Sequence, residues 1–210
     1  VAHPGQSSLA ALAAIRAMAF LSAVWNHPFG APPPISLTVS AKVDSEPIID
    51  WIDDIAVDRE RVEPGKNFSI ELSIRRLDGA VEKVSLPVPV PPSLQAGEML
   101  VHAGSSSAAE LFERKISPPL QLRDLDSYLR FLKDIRRPGY IYIQVVAKRP
   151  SLSIGTGVLH DVPESFILRS RGSGSKLDGV GELSIIWEER IRRPGMVQGM
   201  AIENIKVVDN

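Results

Sequence analysis

The chain has 210 residues, a formal net charge of -1 and no cysteine. Hydrophobic residues make up 44% and charged residues 23%, a balance typical of folded globular domains that excludes the disordered and collagen-like classes. The lack of cysteine excludes disulfides, cysteine-based zinc sites, iron–sulfur clusters and thiol nucleophiles. A near-neutral chain has no net positive field, so we predict no nucleic-acid partner.

The first predicted element is a helix over residues 7–26, where strong helix formers precede His27-Pro28. Its apolar residues surround most of the helix, so it must be covered on more than one side. The most apolar part, residues 9–25, is short for a bilayer span and contains Arg16, so we predict that it does not insert into a membrane.

Three prolines at 32–34 predict a stiff connector after this helix. We therefore divide the chain into an N-terminal helix with its connector, residues 1–34, and a β domain, residues 35–210. The chain begins at Val1 with neither methionine nor a basic segment ahead of a hydrophobic stretch, so we expect it to start inside a longer precursor.

Beyond the connector, apolar residues repeat every second position, the pattern of a half-buried strand. The pattern predicts strands over residues 35–43 and 48–57. Two further strands, 68–74 and 81–90, are separated by Asp78-Gly79, a pair that is typical of a hairpin turn.

Prolines in the second strand of this hairpin remove hydrogen-bond donors, so that strand should lie at a sheet edge or leave the sheet by Pro87. A short strand is predicted at 98–102, and helices are predicted at 105–113 and 125–135. We interpret residues 105–137 as a helical insertion that covers one end or face of the sheets.

The strand pattern resumes at residues 141–145 and 183–187. A turn at 192–195 leads to a last strand at 197–208, in which Gly199 predicts a bulge. Strands separated by turns, with helices only at the start and in one central block, favour a sandwich over a βαβ fold. The predicted fold is therefore mainly β: an Ig-like antiparallel β-sandwich with an N-terminal helix and a short helical insertion.

His160-Asp161 lies near several serines, so serine hydrolysis is one candidate activity. The serines are Ser153, Ser165, Ser170, Ser173 and Ser175. A triad needs an activated serine, a base and an orienting carboxylate, and no Gly-x-Ser-x-Gly nucleophile elbow lies between a strand and a helix here. We predict no catalytic residue and keep as an alternative a hydrolase assembled from loops, with His160, Asp161 and a serine of residues 165–175.

The histidines and carboxylates do not predict a metal site. None of the four histidines belongs to a His-x-x-x-His or His-Glu-x-x-His pair. We interpret the carboxylates as a solvated strand edge and as acidic groups at a helix N-terminus. The histidines are His3, His27, His102 and His160, the strand-edge group is Asp50, Asp53 and Asp54, and the helix group is Asp124 and Asp126.

Glycine-rich and basic segments in the last third of the chain predict no cofactor. Gly155-Thr156-Gly157 and residues 172–181 lack a Walker Lys-Ser/Thr, and neither opens a predicted helix. We interpret the local basic residues as solvated strand faces, because glutamates offset them. They are Arg169, Arg171, Lys176, Arg190, Arg192 and Arg193.

Three segments carry a resemblance to a bacterial family. They are residues 25–32 (Trp-Asn-His-Pro-Phe-Gly-Ala-Pro), 61–66 (Arg-Val-Glu-Pro-Gly-Lys) and 157–165 (Gly-Val-Leu-His-Asp-Val-Pro-Glu-Ser). Together they resemble the C-terminal, non-peptidase region of large bacterial proteins whose N-terminal part is similar to the sporulation factor IV B-type serine peptidases. Those peptidases carry their nucleophile in a Gly-Met-Ser-Gly-Ser-Pro motif, which is absent here. The resemblance therefore implies an accessory domain on the outer side of a membrane, with no catalytic residue.

The resulting hypothesis is a non-catalytic accessory or binding domain of a larger bacterial extracytoplasmic protein, which is periplasmic, secreted or on the cell surface. Its expected partner is another protein, an envelope component or the remainder of the parent chain. The second alternative to this hypothesis is a structural scaffold whose N-terminal helix docks on another subunit. The sequence leaves the oligomeric state open.

Overall fold

The computed structural model describes residues 6–27, 29–30, 48–118, 120, 122–154, 157–172 and 179–208. Strands predominate, so the predicted mainly β class is confirmed. The predicted strand at 35–43 and the boundary after residue 34 lie outside the described residues. The elements are α1 (Gln6–Trp25), β1 (Ile49–Val57), β2 (Arg61–Val62), β3 (Asn67–Arg76), β4 (Val81–Pro89), β5 (Gly97–Gly104), α2 (Ser106–Ile116), α3 (Leu125–Lys133), β6 (Tyr140–Ile154), β7 (Gly157–Leu159), α4 (Glu164–Gly172), β8 (Gly179–Arg192), β9 (Met196–Gln198) and β10 (Met200–Val207).

The strands form two sheets. Sheet A has the order β4-β3-β1-β9, and sheet B has the order β2-β10-β5-β6-β7. Strand β8 also pairs with β6, on the side of β6 opposite to β5. The long strand β6 is therefore the centre of sheet B, and β8 is an edge strand within the described part of the chain.

Both sheets contribute side chains to one hydrophobic core. The two-residue alternation accounts for it, since every second side chain of a strand lies on the same face. On β3, Phe68, Ile70, Leu72 and Ile74 are at most 1% exposed. Burying each of these side chains contributes about 1.5–3 kcal/mol to folding. From sheet B, β5 and β6 add Met99, Val101, Ala103, Ile141, Ile143, Val145 and Ala147.

The hairpin formed by β3 and β4 confirms its prediction. Gly79 has a φ of +86°, and the backbone N–H of Ala80 donates to Asp78 Oδ1 at 3.0 Å. The prediction that the proline-containing strand lies at a sheet edge is also confirmed for the described strands, among which β4 is the outermost of sheet A.

The expectation of purely antiparallel sheets is wrong, because β1 pairs with β9 and β10 pairs with β2 in parallel. The cause is a double crossing of the chain between the sheets. After β8 the chain leaves sheet B and adds β9 to sheet A, and it then returns to sheet B as β10. Gly199, where the sequence predicts a bulge within one strand, instead separates two strands of different sheets. Its φ is +88°, and a Cβ there would lie 2.9 Å from the carbonyl oxygen of Ile52.

Helices α2 and α3 lie between β5 and β6, inside the predicted insertion. Ser105 caps α2 by accepting a hydrogen bond from Ala108 N at 3.4 Å. Helix α2 contacts β5, β6 and β8 and packs on the face of sheet B opposite the core, where Ala109 is fully buried. Sheet B is thus covered by sheet A on one face and partly by α2 on the other.

Helix α4 is not predicted from the sequence. Its residue Ile167 packs with Leu152 and Val162 in a second, smaller hydrophobic cluster. Among the described helices, none is both long and apolar enough to cross a lipid bilayer.

Candidate functional site

A cleft of about 880 Å³ lies on the outer face of sheet B, bounded by α2, by the segment around the end of α3, and by β6 and β8. This volume is in the range of ligand-binding clefts in proteins. Charged and aromatic side chains predominate in its lining. The lining includes Glu110, Glu113, Arg114, Ser117, Phe131, Lys133, Asp134, Ile135, Arg136, Arg137, Tyr140, Tyr142, Glu188 and Arg190.

Three polar side chains form a row across the base of this face. His102 of β5 lies opposite Gln144 of β6, and Gln144 lies opposite Glu188 of β8. The neighbours of His102 along β5, Val101 and Ala103, belong to the core, so the polar row lies on the other face. Gln144 Nε2 donates to Glu188 Oε2 at 2.9 Å.

Arg136 connects this row to the helices. Its guanidinium donates to Glu113 Oε2 at 2.9 Å and to the two carboxylate oxygens of Glu188 at 2.9 and 2.7 Å. The guanidinium carbon lies 4.5 Å from the ring centroid of Tyr142, a cation–π distance. The Arg136 backbone N–H donates to Glu110 Oε1 at 2.9 Å. One residue therefore ties the segment after α3 to α2 and to β8.

The charges in this cluster stabilise one another. Burial alone would raise the pKa of Glu188, but the hydrogen bonds and charge of Arg136, with the hydrogen bond from Gln144, lower that pKa below its ordinary value. Burial alone would lower the pKa of Arg136, but its bonds to Glu188 and Glu113 raise it above its ordinary value. Glu188 and Arg136 are therefore both ionised at neutral pH.

His102 is neutral in this environment. It is fully buried, and its ring stacks on Phe112 of α2 with centroids 4.2 Å apart and planes 5° apart. Burial lowers the pKa of His102 to about 4, the charge of Arg136 adds to that shift, and Gln144 opposes it. Neither ring nitrogen has a hydrogen-bond partner within the described residues, so His102 acts as an aromatic packing residue between sheet B and α2.

Within the described structure, His160 and Asp161 have different hydrogen-bond partners. His160 Nδ1 accepts the backbone N–H of Ile185 at 3.2 Å, and burial lowers the pKa of this histidine while the charges of Glu113 and Glu188 oppose the shift. The Asp161 carboxylate accepts a hydrogen bond from Arg149, and among the described hydrogen bonds none joins it to the His160 imidazole. Asp161 has a φ of 56°, and its backbone N–H donates to Ser184 Oγ at 2.9 Å.

The candidate serines are distributed over different environments. Ser153 is fully buried in β6, whereas Ser165 is exposed in the first turn of α4. Ser173 and Ser175 lie outside the described residues, as does the side chain of Ser170. No hydrogen bond in the described ranges joins His160 to a serine hydroxyl.

The interpretation of Asp50 and Arg193 as solvated groups is wrong. Strand β1 lies inside sheet A rather than at its edge, and Asp50 is 1% exposed. Arg193 Nε donates to Asp50 Oδ2 at 2.7 Å, and its guanidinium also binds Glu82 at 2.7 Å. This ion-paired group holds the turn between β8 and β9 against sheet A. Asp53 instead forms a surface ion pair with Arg75 at 2.8 Å.

The assignment of Asp124 to a helix N-terminus is confirmed. Asp124 caps α3, and its Oδ1 accepts the backbone N–H of Ser127 at 2.7 Å. This bond lowers the pKa of Asp124. Asp126 lies in the first turn of the same helix, where negative charge is favourable.

The remaining predicted residues are dispersed. His27 stacks near Phe29 with centroids 6.2 Å apart. His3, Gly155, Thr156 and residues 173–178 lie outside the described residues, and Gly157 begins β7. In the ranges that the structure covers, no group of three or more His, Asp or Glu side chains is placed to hold a metal ion.

No sequence motif marks the residues of the cleft as a site. The sequence offers one clue, because Gln144 is a polar residue within the apolar run of β6. In the structure its side chain is fully buried. Comparison with models of protein families, with curated proteins and with solved structures gives no match for this chain. The geometry of the cleft is therefore the basis for a function.

Proposed function

We propose that this chain is a non-catalytic binding domain of a larger bacterial extracytoplasmic protein, and that its partner occupies the cleft beside Arg136. The observation that carries this proposal is that the central charged groups of the cleft are already bound to one another. Arg136 holds Glu113 and Glu188. A general acid or base must exchange a proton near the working pH, and a carboxylate with a lowered pKa under a guanidinium is poorly suited to that role.

The walls of the cleft are suited to recognition. Phe131 and Tyr140 supply aromatic surface, and Ile135 is 42% exposed, whereas Tyr142 is only 5% exposed and lies under the Arg136 guanidinium. Aromatic and aliphatic side chains of this kind supply much of the affinity in protein interfaces, with polar groups fixing orientation. The Arg136 cluster gives the cleft a fixed polar base, so a partner meets a preorganised surface.

The fold proposed for this domain is an Ig-like β-sandwich. Two sheets that share one core support the sandwich class. The resemblance to the non-peptidase region of peptidase-associated bacterial proteins supports the extracytoplasmic location. Its segments at 61–66 and 157–165 include β2 and β7 with the turns that follow them, so they form part of the framework of sheet B.

The proposal is tested by filling the cleft. Ile135→Trp adds bulk to a cleft wall, and Ile202→Trp is its matched control, since Ile202 is 44% exposed on β10 and is not among the lining residues. Quantitative pull-down from bacterial envelope extracts, with the immobilised full chain, measures the partner retained. We expect the wild type and the Ile202→Trp variant to retain the same protein and the Ile135→Trp variant to lose it.

Two results would contradict the proposal. One is equal retention by both variants, which would place binding elsewhere on the surface. The other is labelling of the chain by a serine-reactive activity probe that is abolished in His160→Ala, which would establish the hydrolase alternative instead.

A further inference from the structure

We infer that the cleft recognises an acidic peptide segment of its partner protein. This inference rests on the proposed function, and it follows from the charges in the cleft that remain available to a ligand. Four lining cations come from four different parts of the fold. They are Arg114 at the end of α2, Lys133 at the end of α3, Arg137 in the turn before β6, and Arg190 on β8.

These four side chains are exposed, and none forms an ion pair within the described residues. Two of the four carboxylates of the cleft bind a cation, and they share it. Glu113 and Glu188 bind the Arg136 guanidinium, and Glu110 accepts the Arg136 backbone N–H. For Glu110 and Asp134 the described contacts include no cation. The lining therefore has five cations against four carboxylates, and four of the cations lie outside the Arg136 ion pairs, with Arg190 close enough to Glu188 to help lower its pKa.

The distribution of these cations favours a peptide over a small anion. They surround a cleft of about 880 Å³, so a chain with several carboxylates can reach more of them than one compact anion can. The same lining includes Phe131 and Tyr140, which would contact apolar side chains of the same segment. A nucleic acid is disfavoured because the whole chain has a formal charge of -1 and supplies no long-range positive field.

The experiment uses a fluorescein-labelled decapeptide of alternating Glu and Leu, with fluorescence anisotropy as the measurement. Its comparison peptide has Gln in place of every Glu. The double variant Arg114→Gln/Lys133→Gln removes two cleft cations. Its matched control is Arg61→Gln/Lys66→Gln, which removes one exposed arginine and one exposed lysine outside the cleft lining.

We expect the acidic peptide to bind the wild type and the control alike, and to bind the cleft variant about fivefold more weakly, since two exposed charge contacts are lost. Raising the ionic strength should weaken binding of the acidic peptide to the wild type. The inference is overturned if the Gln peptide binds equally well, if both double variants weaken binding equally, or if a single-stranded DNA oligonucleotide binds as tightly as the acidic peptide.

The failure of this inference is distinguishable from failure of the proposed function. Loss of the envelope partner in Ile135→Trp, together with no binding of the acidic peptide, would leave the binding function intact and refute the acidic specificity. Equal partner retention by the two Trp variants would refute the function itself.

Discussion

At the scale of single residues, the cleft depends on polar groups on the face of sheet B opposite the core. His102, Gln144 and Glu188 form one row across three strands. His102 packs as an aromatic ring against α2, whereas Glu188 fixes Arg136. The same face of sheet B therefore supplies a packing residue for the helix and an electrostatic anchor for the cleft.

The buried His102 predicts a stability that depends on pH. Its pKa is about 4 in the folded protein, against 6.5 for an unperturbed histidine such as that of the unfolded chain. Between these values the unfolded chain binds a proton that the folded protein does not, so stability is full above pH 6.5 and falls as the pH is lowered toward 4. We expect the titration of His102 to lower the free energy of unfolding by about 2 kcal/mol between about pH 7 and about pH 5.

Urea unfolding of the wild type and of His102→Leu at both pH values measures this contribution. When the pH is lowered, the free energy of unfolding of the variant should fall by about 2 kcal/mol less than that of the wild type, because leucine does not titrate. His160, whose pKa is also lowered, contributes equally to both proteins and cancels in the comparison. An identical pH dependence of the two proteins would show that His102 is not buried as a neutral ring.

Arg136 gives a second prediction at this scale. Arg136→Gln leaves Glu113 and Glu188 without their cation, but each of these carboxylates is about one third exposed, so water screens part of the repulsion. We expect the free energy of unfolding to fall by about 1–2 kcal/mol. Arg75→Gln, which breaks the surface pair with Asp53, should lower the free energy of unfolding by less than Arg136→Gln does, because solvent screens an exposed pair. Equal effects in urea unfolding would contradict a special role for Arg136.

At the scale of elements, local pattern and turn chemistry predict what the chain does over short distances. The alternation from Phe68 to Ile74 and the Asp78-Gly79 turn together determine the β3–β4 hairpin, and Asp124 predicts the start of α3. Helix α4 was not predicted because Gly172 and the serine-rich residues 173–178 are typical of a loop. The helix is held instead by the packing of Ile167 against Leu152, which is distant in the sequence.

The crossing between the sheets could not be predicted, because a two-residue repeat specifies which face of a strand is buried but not which strand lies beside it. Residues 196–198 and 200–207 have one continuous strand pattern in the sequence, yet they belong to different sheets. The left-handed backbone of Gly199 is what permits the change.

Gly199 therefore gives a prediction at the element scale. Gly199→Ala should destabilise the chain by about 2 kcal/mol, because alanine is disfavoured at a φ of +88° and its Cβ would lie 2.9 Å from the Ile52 carbonyl oxygen. Gly97→Ala is the control, since a Cβ there meets nothing within 4 Å. Thermal unfolding compares the two, and a Gly199→Ala variant as stable as Gly97→Ala would contradict the crossing.

At the scale of the whole molecule, the candidate site was less predictable than the fold. Glu113, Arg136, Gln144 and Glu188 come from α2, the segment before β6, β6 and β8, and they meet because β6 and β8 pair in one register and α2 covers their outer face. The near-neutral total charge gave no indication of the cleft, because carboxylates in the same lining and elsewhere on the chain offset its cations.

The double crossing of the last strands also affects how the protein can be made. Strand β1 receives its parallel neighbour from residues 196–198, and β5 receives one neighbour from residues 200–207. A polypeptide is synthesised from its amino end, so neither sheet can acquire its full set of strands until residues 196–207 have been made. Until then β1 and β5 each have one edge without its native neighbour.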